Sequence, residues 1–344
     1  MYSGWSHGLL SHQKYESSLL FRYNIDPKSV GRLEVGTETL VDKSKSTKTI
    51  LMDLFPDNTD MEGATTINAC YGGTAALLNA MMWCESSGWD GRYAIVVAAD
   101  IAAYARGPAR PTSGAGAVAL LIGRDAPLAF QPHLRATHAA NTWDFFKPDH
   151  TVEYPTVNGQ LSQECYYQAL EDVYQRYCRK VEQFHKAKSN TPNDVDATTV
   201  SDYFVFHAPY NKLVQKSYGR LFLMDARRRR QWAMDAEEEK KDPKEAIDEG
   251  PLQEWLLKPV EETYNDKALE KALKQLSAKD FEMRLGDANA ASKIVGNTYA
   301  ASVFLGLASL VDRAGRRGDL TEGKSITMFS YGSGAMATMY NFQV

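Results

Sequence analysis

Cysteine is scarce. The 344 residues hold four, Cys70, Cys84, Cys165 and Cys178, and no two stand in a CxxC pair. That usage argues against a disulfide framework and a cysteine-held structural metal, and it fits a reduced, intracellular setting. Long apolar runs are missing too. None approaches the roughly 20 residues of a membrane-spanning helix, and the first residues show no signal-peptide pattern. An excess of one charge is also missing. Lys and Arg number 39 against 43 Asp and Glu, a net charge of −4, and the pI is near 6.0. Nothing overall draws the chain to nucleic acid or an anionic membrane. What is present is ordinary for a soluble globular protein, 44% hydrophobic and 24% charged, with length enough for one large domain or two halves.

The pattern along the chain alternates strands and helices, which predicts a layered α/β fold. Residues 1–16 have no period and read as a leader, and 17–25 read as the tail of an amphipathic helix. Residues 31–39 suit a strand running into a Gly/Thr turn, and 48–55 a helix. From Gly72 to about Cys84 an Ala/Leu-rich run reads as a helix opened by Cys70. The apolar run 92–99 reads as a strand buried on both faces, 116–122 and 203–206 as further buried strands, and 325–330 as a strand. Residues 161–188 and 211–224 carry helical spacing, and 295–312 a helix opened by Gly296-Asn297. Residues 225–250, with Arg227 to Arg230 beside Glu237 to Lys241, read as a solvated charged insertion. Gly114–Leu121 and Gly332–Met339 share four identities in eight, which suggests two halves of one design with a site between them. The halves are expected at 17–188 and 200–344.

Four residues could carry chemistry. Cys70, at a helix start, would meet the positive end of the helix dipole, which favours the nucleophilic thiolate. Gly72 and Gly73 beside it would let a bulky substrate approach. His207 stands at the end of a buried strand, where α/β folds place ligand crevices, although a lone histidine is as readily a core residue. Asn297 could donate to an acyl oxygen or serve as a plain helix cap. Glu38 could be a solvated loop carboxylate, or a proton carrier whose pKa an apolar crevice raises.

These residues sit in longer motifs: GRLEVGTETLVDKSKS at 31–46, NACYGGTAALLNA at 68–80, WDGRYAIVVAADIAAYARG at 89–107, ARPTSGAGAVALLIG at 109–123, DFFKPD at 144–149, FHAPYNKLVQKS at 206–217, GNTYAAS at 296–302 and FSYGSG at 329–334. In this order they resemble the eukaryotic hydroxymethylglutaryl-CoA synthases of the thiolase superfamily. The charged segment 225–250 is most like that of fungal members.

The resemblance implies a thiolase-like layered fold of two pseudo-symmetric α/β halves. It implies a Claisen-type condensation of acetyl-CoA with acetoacetyl-CoA, with no metal or redox cofactor. Cys70 would take the acetyl group, Glu38 would be the general acid/base, and His207 would hold acetoacetyl-CoA and polarise its carbonyl. Tyr71, Asp100, Asp144, Asn297 and Tyr299 match positions near the reacting groups. Thr112, Ser162, Lys212, Lys216, Asn297 and Ser333 match substrate- or CoA-contacting positions, the lysines as partners for CoA phosphates. A cytoplasmic homodimer feeding mevalonate and sterol synthesis is the family expectation. Against the family, this chain lacks a first core strand before residue 31 and a further strand after Val344, and Pro108 stands where animal members have a substrate-contacting asparagine. Two other readings are a ketoacyl-synthase-like condensing enzyme, which would not need Glu38, and an inactive or partner-dependent shortened paralogue.

Overall fold

The computed structural model describes residues 19–149, 151–189, 195–238 and 250–344. The expected leader 1–16 and the second part of the charged segment, 239–249, lie outside the described residues. The strands are β1 (Val30–Gly36), β2 (Thr65–Thr66), β3 (Tyr93–Ala102), β4 (Gly114–Ile122), β5 (Ala129–Ala139), β6 (Phe145–Phe146), β7 (Thr156–Val157), β8 (Tyr203–Phe206), β9 (Ser325–Gly332) and β10 (Met336–Gln343). The helices are α1 (Thr47–Leu51), α2 (Gly72–Cys84), α3 (Gly159–Ser189), α4 (Asn211–Glu238), α5 (Gln253–Leu256), α6 (Lys267–Arg284), α7 (Gly286–Val295) and α8 (Ser302–Arg317).

The described strands make two four-stranded sheets, ordered β2-β1-β3-β4 and β5-β10-β9-β8, and the short hairpin β6-β7. Each sheet has the same plan. In the first, β1 and β3 run parallel and β4 returns antiparallel. In the second, β8 and β9 run parallel and β10 returns antiparallel. The crossovers of the two parallel pairs contain α2 and α8 respectively. The Gly114 and Gly332 repeats both lead into the returning strand of their sheet, one at β4 and the other at the β9–β10 turn.

Period-two alternation sorts β3 into two cores. Ala94, Val96 and Ala98 face a middle layer shared with Ala76, Leu77 and Ala80 of α2, with Val303, Phe304 and Leu307 of α8, and with Val205, Ile326 and Met328 of the second sheet. Ile95, Val97 and Ala99 face an outer layer with Leu33, Leu51 and Phe55. The second sheet's other face, Phe204, Phe206 and Phe329, packs under residues of α3, α4 and α6.

Four expectations change. The helix at 211 does not stop at 224 but continues as α4 to Glu238. Its arginines are held rather than solvated: Arg227 donates to the carbonyls of Trp255 at 2.8 Å and Lys258 at 2.7 Å, and Arg228 pairs with Glu182 of α3. Long guanidinium stems can pack while their heads find acceptors, so a charge run need not be a solvated face. The helix expected from 295 starts at Ser302, because Gly296 and Tyr299 have φ of +81° and +42° and break the helical path. The glycines after Cys70 leave no room for a substrate. A Cβ on Gly73 would stand 2.5 Å from the Ala300 carbonyl oxygen, and one on Gly72 would stand 3.0 Å from that of Thr66. Their smallness serves the packing of α2 between the sheets.

Candidate active site

The carboxyl ends of the parallel strands converge: Thr37-Glu38 follows β1, Asp100 lies near the carboxyl end of β3, and His207 follows β8. Open α/β sheets gather ligands at this end. A cavity of about 400 Å³ opens there, lined by Cys70, Thr112, Ser162, His207, Asn297, Tyr299 and Ser333 among others. It falls in the size range of small-molecule sites, and the rings of Tyr104, Phe145, Tyr166, Tyr210 and Tyr331 form part of its wall.

Cys70 sits one residue before the helix cap Tyr71, on a bend with Ala69 at φ +43°. Such left-handed residues persist only where packing over-determines them. The packing here is close: a Cβ on Gly332 would stand 2.6 Å from the Tyr71 nitrogen and 2.8 Å from the Asn68 carbonyl oxygen. Burial pushes the Cys70 thiol's pKa well up, and the Glu38 and Asp100 carboxylates push it further. Both oppose the thiolate that the helix terminus favours.

Glu38 lies in the turn that Asp100 organises. Asp100 Oδ1 accepts from the Thr37 and Thr39 hydroxyls and from the Glu38 and Thr39 amides, all at 2.8 to 2.9 Å. Its Oδ2 accepts from the Ala300 amide at 2.9 Å, which ties the first sheet to the start of α8. Burial raises the Asp100 pKa against these five donors, a set that suits an ionised carboxylate. The Glu38 side chain is 7% exposed, and Lys147 Nζ lies 3.2 Å from its Oε1. Burial and the Asp100 charge push the Glu38 carboxyl up to about 7, with Lys147 opposing.

His207 is buried, and desolvation pulls its pKa down to about 3, so the imidazole is neutral at physiological pH. Its amide donates to the Phe329 carbonyl at 2.8 Å, while its carbonyl accepts from the Tyr166 hydroxyl at 2.7 Å. Its Nδ1 has no hydrogen-bond partner among the described residues. Asn297 is split between two duties. Its Oδ1 accepts from the Tyr299 amide at 2.9 Å, as a cap would, and its Nδ2 donates to the Tyr104 hydroxyl at 3.3 Å.

Six residues singled out in the sequence do not line the cavity, and Glu38, buried behind its wall against Lys147, is one of them. Tyr71 is buried, with its hydroxyl 2.6 Å from that of Thr338. Asp100 is the turn's anchor. Asp144 accepts from the Gly334 amide at 3.1 Å and so holds the turn that carries Ser333. Lys212 is exposed on α4. Lys216 pairs with Glu270 of α6 at 3.1 Å and borders a separate small crevice with Arg220. Conversely, Tyr104 and Lys147 belong to the site and were not singled out. Both stand inside matched motifs, AAYARG and DFFKPD, but a lone loop tyrosine or lysine carries no signal of burial.

A thiol, a neutral imidazole and a carboxamide around one cavity, with a carboxylate buried near the thiol, form a constellation suited to thiol-based acyl transfer on a thiolase-like layered fold. Residues 13–127 match the N-terminal and 128–344 the C-terminal family description of hydroxymethylglutaryl-coenzyme A synthase. The chain belongs to that family. It is 47% identical over 334 residues to hydroxymethylglutaryl-CoA synthase A of Dictyostelium discoideum, covering 95% of this chain and 64% of that protein. It is 48% identical to a synthase of Gibberella zeae, covering 95% and 70%. It is also 47% identical to the human cytoplasmic synthase, covering 95% and 60%. The chain thus spans less than two thirds of the Dictyostelium and human proteins. Among solved structures, MvaS in complex with 3-hydroxy-3-methylglutaryl coenzyme A superposes with a TM-score of 0.77 at 28% identity, covering 98% of this chain and 72% of that one.

Proposed function

We propose that this chain condenses acetyl-CoA with acetoacetyl-CoA to hydroxymethylglutaryl-CoA. The observation that carries the reading is the convergence of Cys70 and His207 on one cavity, with Glu38 buried close enough to raise the thiol's pKa. In the first step Cys70 attacks the acetyl thioester, its proton leaves with CoA as the thiol, and acetyl-Cys70 forms. The Glu38 and Asp100 carboxylates oppose the thiolate form of Cys70, whereas the acetyl thioester that replaces it is neutral and carries no charge for them to oppose. In the second step Glu38 takes a proton from the acetyl methyl. The resulting carbanion attacks the ketone carbon of acetoacetyl-CoA, and the proton passes to the new alkoxide. A carboxyl near pH 7 can both take and return a proton. Neutral His207 and Asn297 are suited to donate to carbonyl oxygens as charge develops. Water then cleaves the Cys70 thioester and frees the product.

Thr112, Ser162 and Ser333 on the cavity wall support contacts to the acyl-pantetheine arm, and Lys212 is free to meet a CoA phosphate at the surface. Lys216 would have to leave Glu270 to do so. On this reading the product enters mevalonate and sterol synthesis, the two CoA thioesters are the partners, no separate cofactor is needed, and the chain works as a cytoplasmic homodimer, as family membership suggests.

The test is intact-protein mass spectrometry after incubation with acetyl-CoA. An acetyl adduct is expected on the wild type and absent from Cys70→Ala, and acetoacetyl-CoA should discharge it with release of free CoA. A folded wild type that takes no acetyl group would overturn the reading in favour of a family member without the chemistry.

A further inference from the structure

Granted Glu38 as the proton carrier of the reading above, we propose that Lys147 is a positioning residue: its ammonium holds the Glu38 carboxylate in place beside Cys70, and Glu153 competes for that ammonium from the solvent side. Both Glu38 oxygens are sealed from solvent, and neither accepts a hydrogen bond from a backbone amide or neutral side chain among the described residues. A carboxylate without such anchors is held by charge. Lys147 Nζ lies 3.2 Å from Glu38 Oε1 and 3.6 Å from Glu153 Oε2. The three side chains step outward, at 7%, 20% and 44% exposure for Glu38, Lys147 and Glu153. The ammonium also stands 5.7 Å over the Tyr299 ring, whose edge-on contacts with Tyr104 and Phe145 fix it in the cavity wall.

The groups facing Glu38 come from every neighbouring element. They are Asp100 of β3, Cys70 before α2, Tyr104 after β3, Tyr299 before α8, and Lys147 and Glu153 from the β6–β7 connection. Asp100 and Glu153 repel the carboxylate, and Lys147 attracts it. One cation shared by two carboxylates gives substitutions of opposite sign. Removing the cation makes Glu38 harder to ionise. Removing Glu153 ends its repulsion and leaves the cation wholly to Glu38.

Infrared difference spectra, each variant against the same variant carrying Glu38→Gln, titrate the Glu38 carboxylate without need of turnover. Lys147→Met should move its midpoint up by about one pH unit or more, as loss of an opposite charge at this distance does. Lys147→Arg should stay near the wild type, and Glu153→Gln should move the midpoint down. The acid limb of the pH–rate profile for product formation should follow the same order, with kcat falling in Lys147→Met more than KM rises. A folded Lys147→Met whose midpoint matches the wild type overturns the proposal, as does an upward shift in Glu153→Gln. Should Lys147→Met not fold, the signs in Glu153→Gln and Lys147→Arg decide. If the titrations shift as expected while the wild type forms no product at any pH, Lys147 keeps its role and the proton-carrier reading of Glu38 falls.

Discussion

Burying a carboxylate with a single cation beside it leaves a mark on stability that pH reveals. The folded pKa of Glu38 is about 7, above the ordinary 4.5, so the fold prefers the protonated form. Its contribution to stability is present in full below about 4.5 and is lost as pH rises through 7. A rise of this size corresponds to about 3 kcal/mol at pH 8. Glu38→Gln lacks the burden. Its melting temperature should therefore exceed the wild type's by several degrees more at pH 8 than at pH 5. An equal difference at both pH values would show that the carboxyl is better solvated than its burial indicates. His207 acts at the other end. Its pKa is lowered to about 3, so the unfolded chain takes up a proton that the fold refuses, and stability falls as pH drops below about 6.5.

At the scale of elements, the site depends on how closely α2 and α8 approach. Gly73 near the start of α2 faces the Ala300 carbonyl oxygen, the Ala98 side chain and Phe304 of α8. Gly73→Ala would bring a Cβ to 2.5 Å from that backbone oxygen. No rotamer change relieves a clash with backbone, so the helices must move apart. The cost should be about 1–3 kcal/mol, typical of an overpacked core. A thermal melt should show the loss, and acetyl loading of Cys70 should slow because its bend rests on the same helix. An unchanged melting temperature would mean that the interface is slacker than its geometry.

Much of the whole molecule was legible from its residues, and the rest was hidden for identifiable reasons. The doubly buried strands declared themselves through unbroken apolar runs, and β3 obeys that pattern with residues on two cores. Strand β5 did not, since AFQPHLRATHA is an edge strand with a proline and polar side chains facing out. Helix α6 carried a usable stripe, Leu269, Leu273, Ser277 and Phe281 at four-residue steps, though its many charges mask it. Cys70 and His207 could be found from residue type and place in the pattern. Glu38 could be suspected, but its burial depends on Asp100 and Lys147, which the chain brings from far along the sequence. The upward push on the thiol's pKa was illegible for the same reason, because the burial and the carboxylates that cause it come from other elements.

The clasp at Asp100 also bears on how this protein opens. One side chain receives amides from Glu38 and Thr39, which follow β1, and from Ala300, which precedes α8. These three N–H groups cannot be released one at a time without leaving the shared carboxylate under-satisfied in the interior. In native-state hydrogen exchange their protection factors should agree, and Asp100→Asn should lower all three together. Protection that differed widely among the three would mean that the two sheets breathe separately. If it is shared, any fluctuation that exposes Glu38 also loosens the far sheet, and the site is made or lost as one unit.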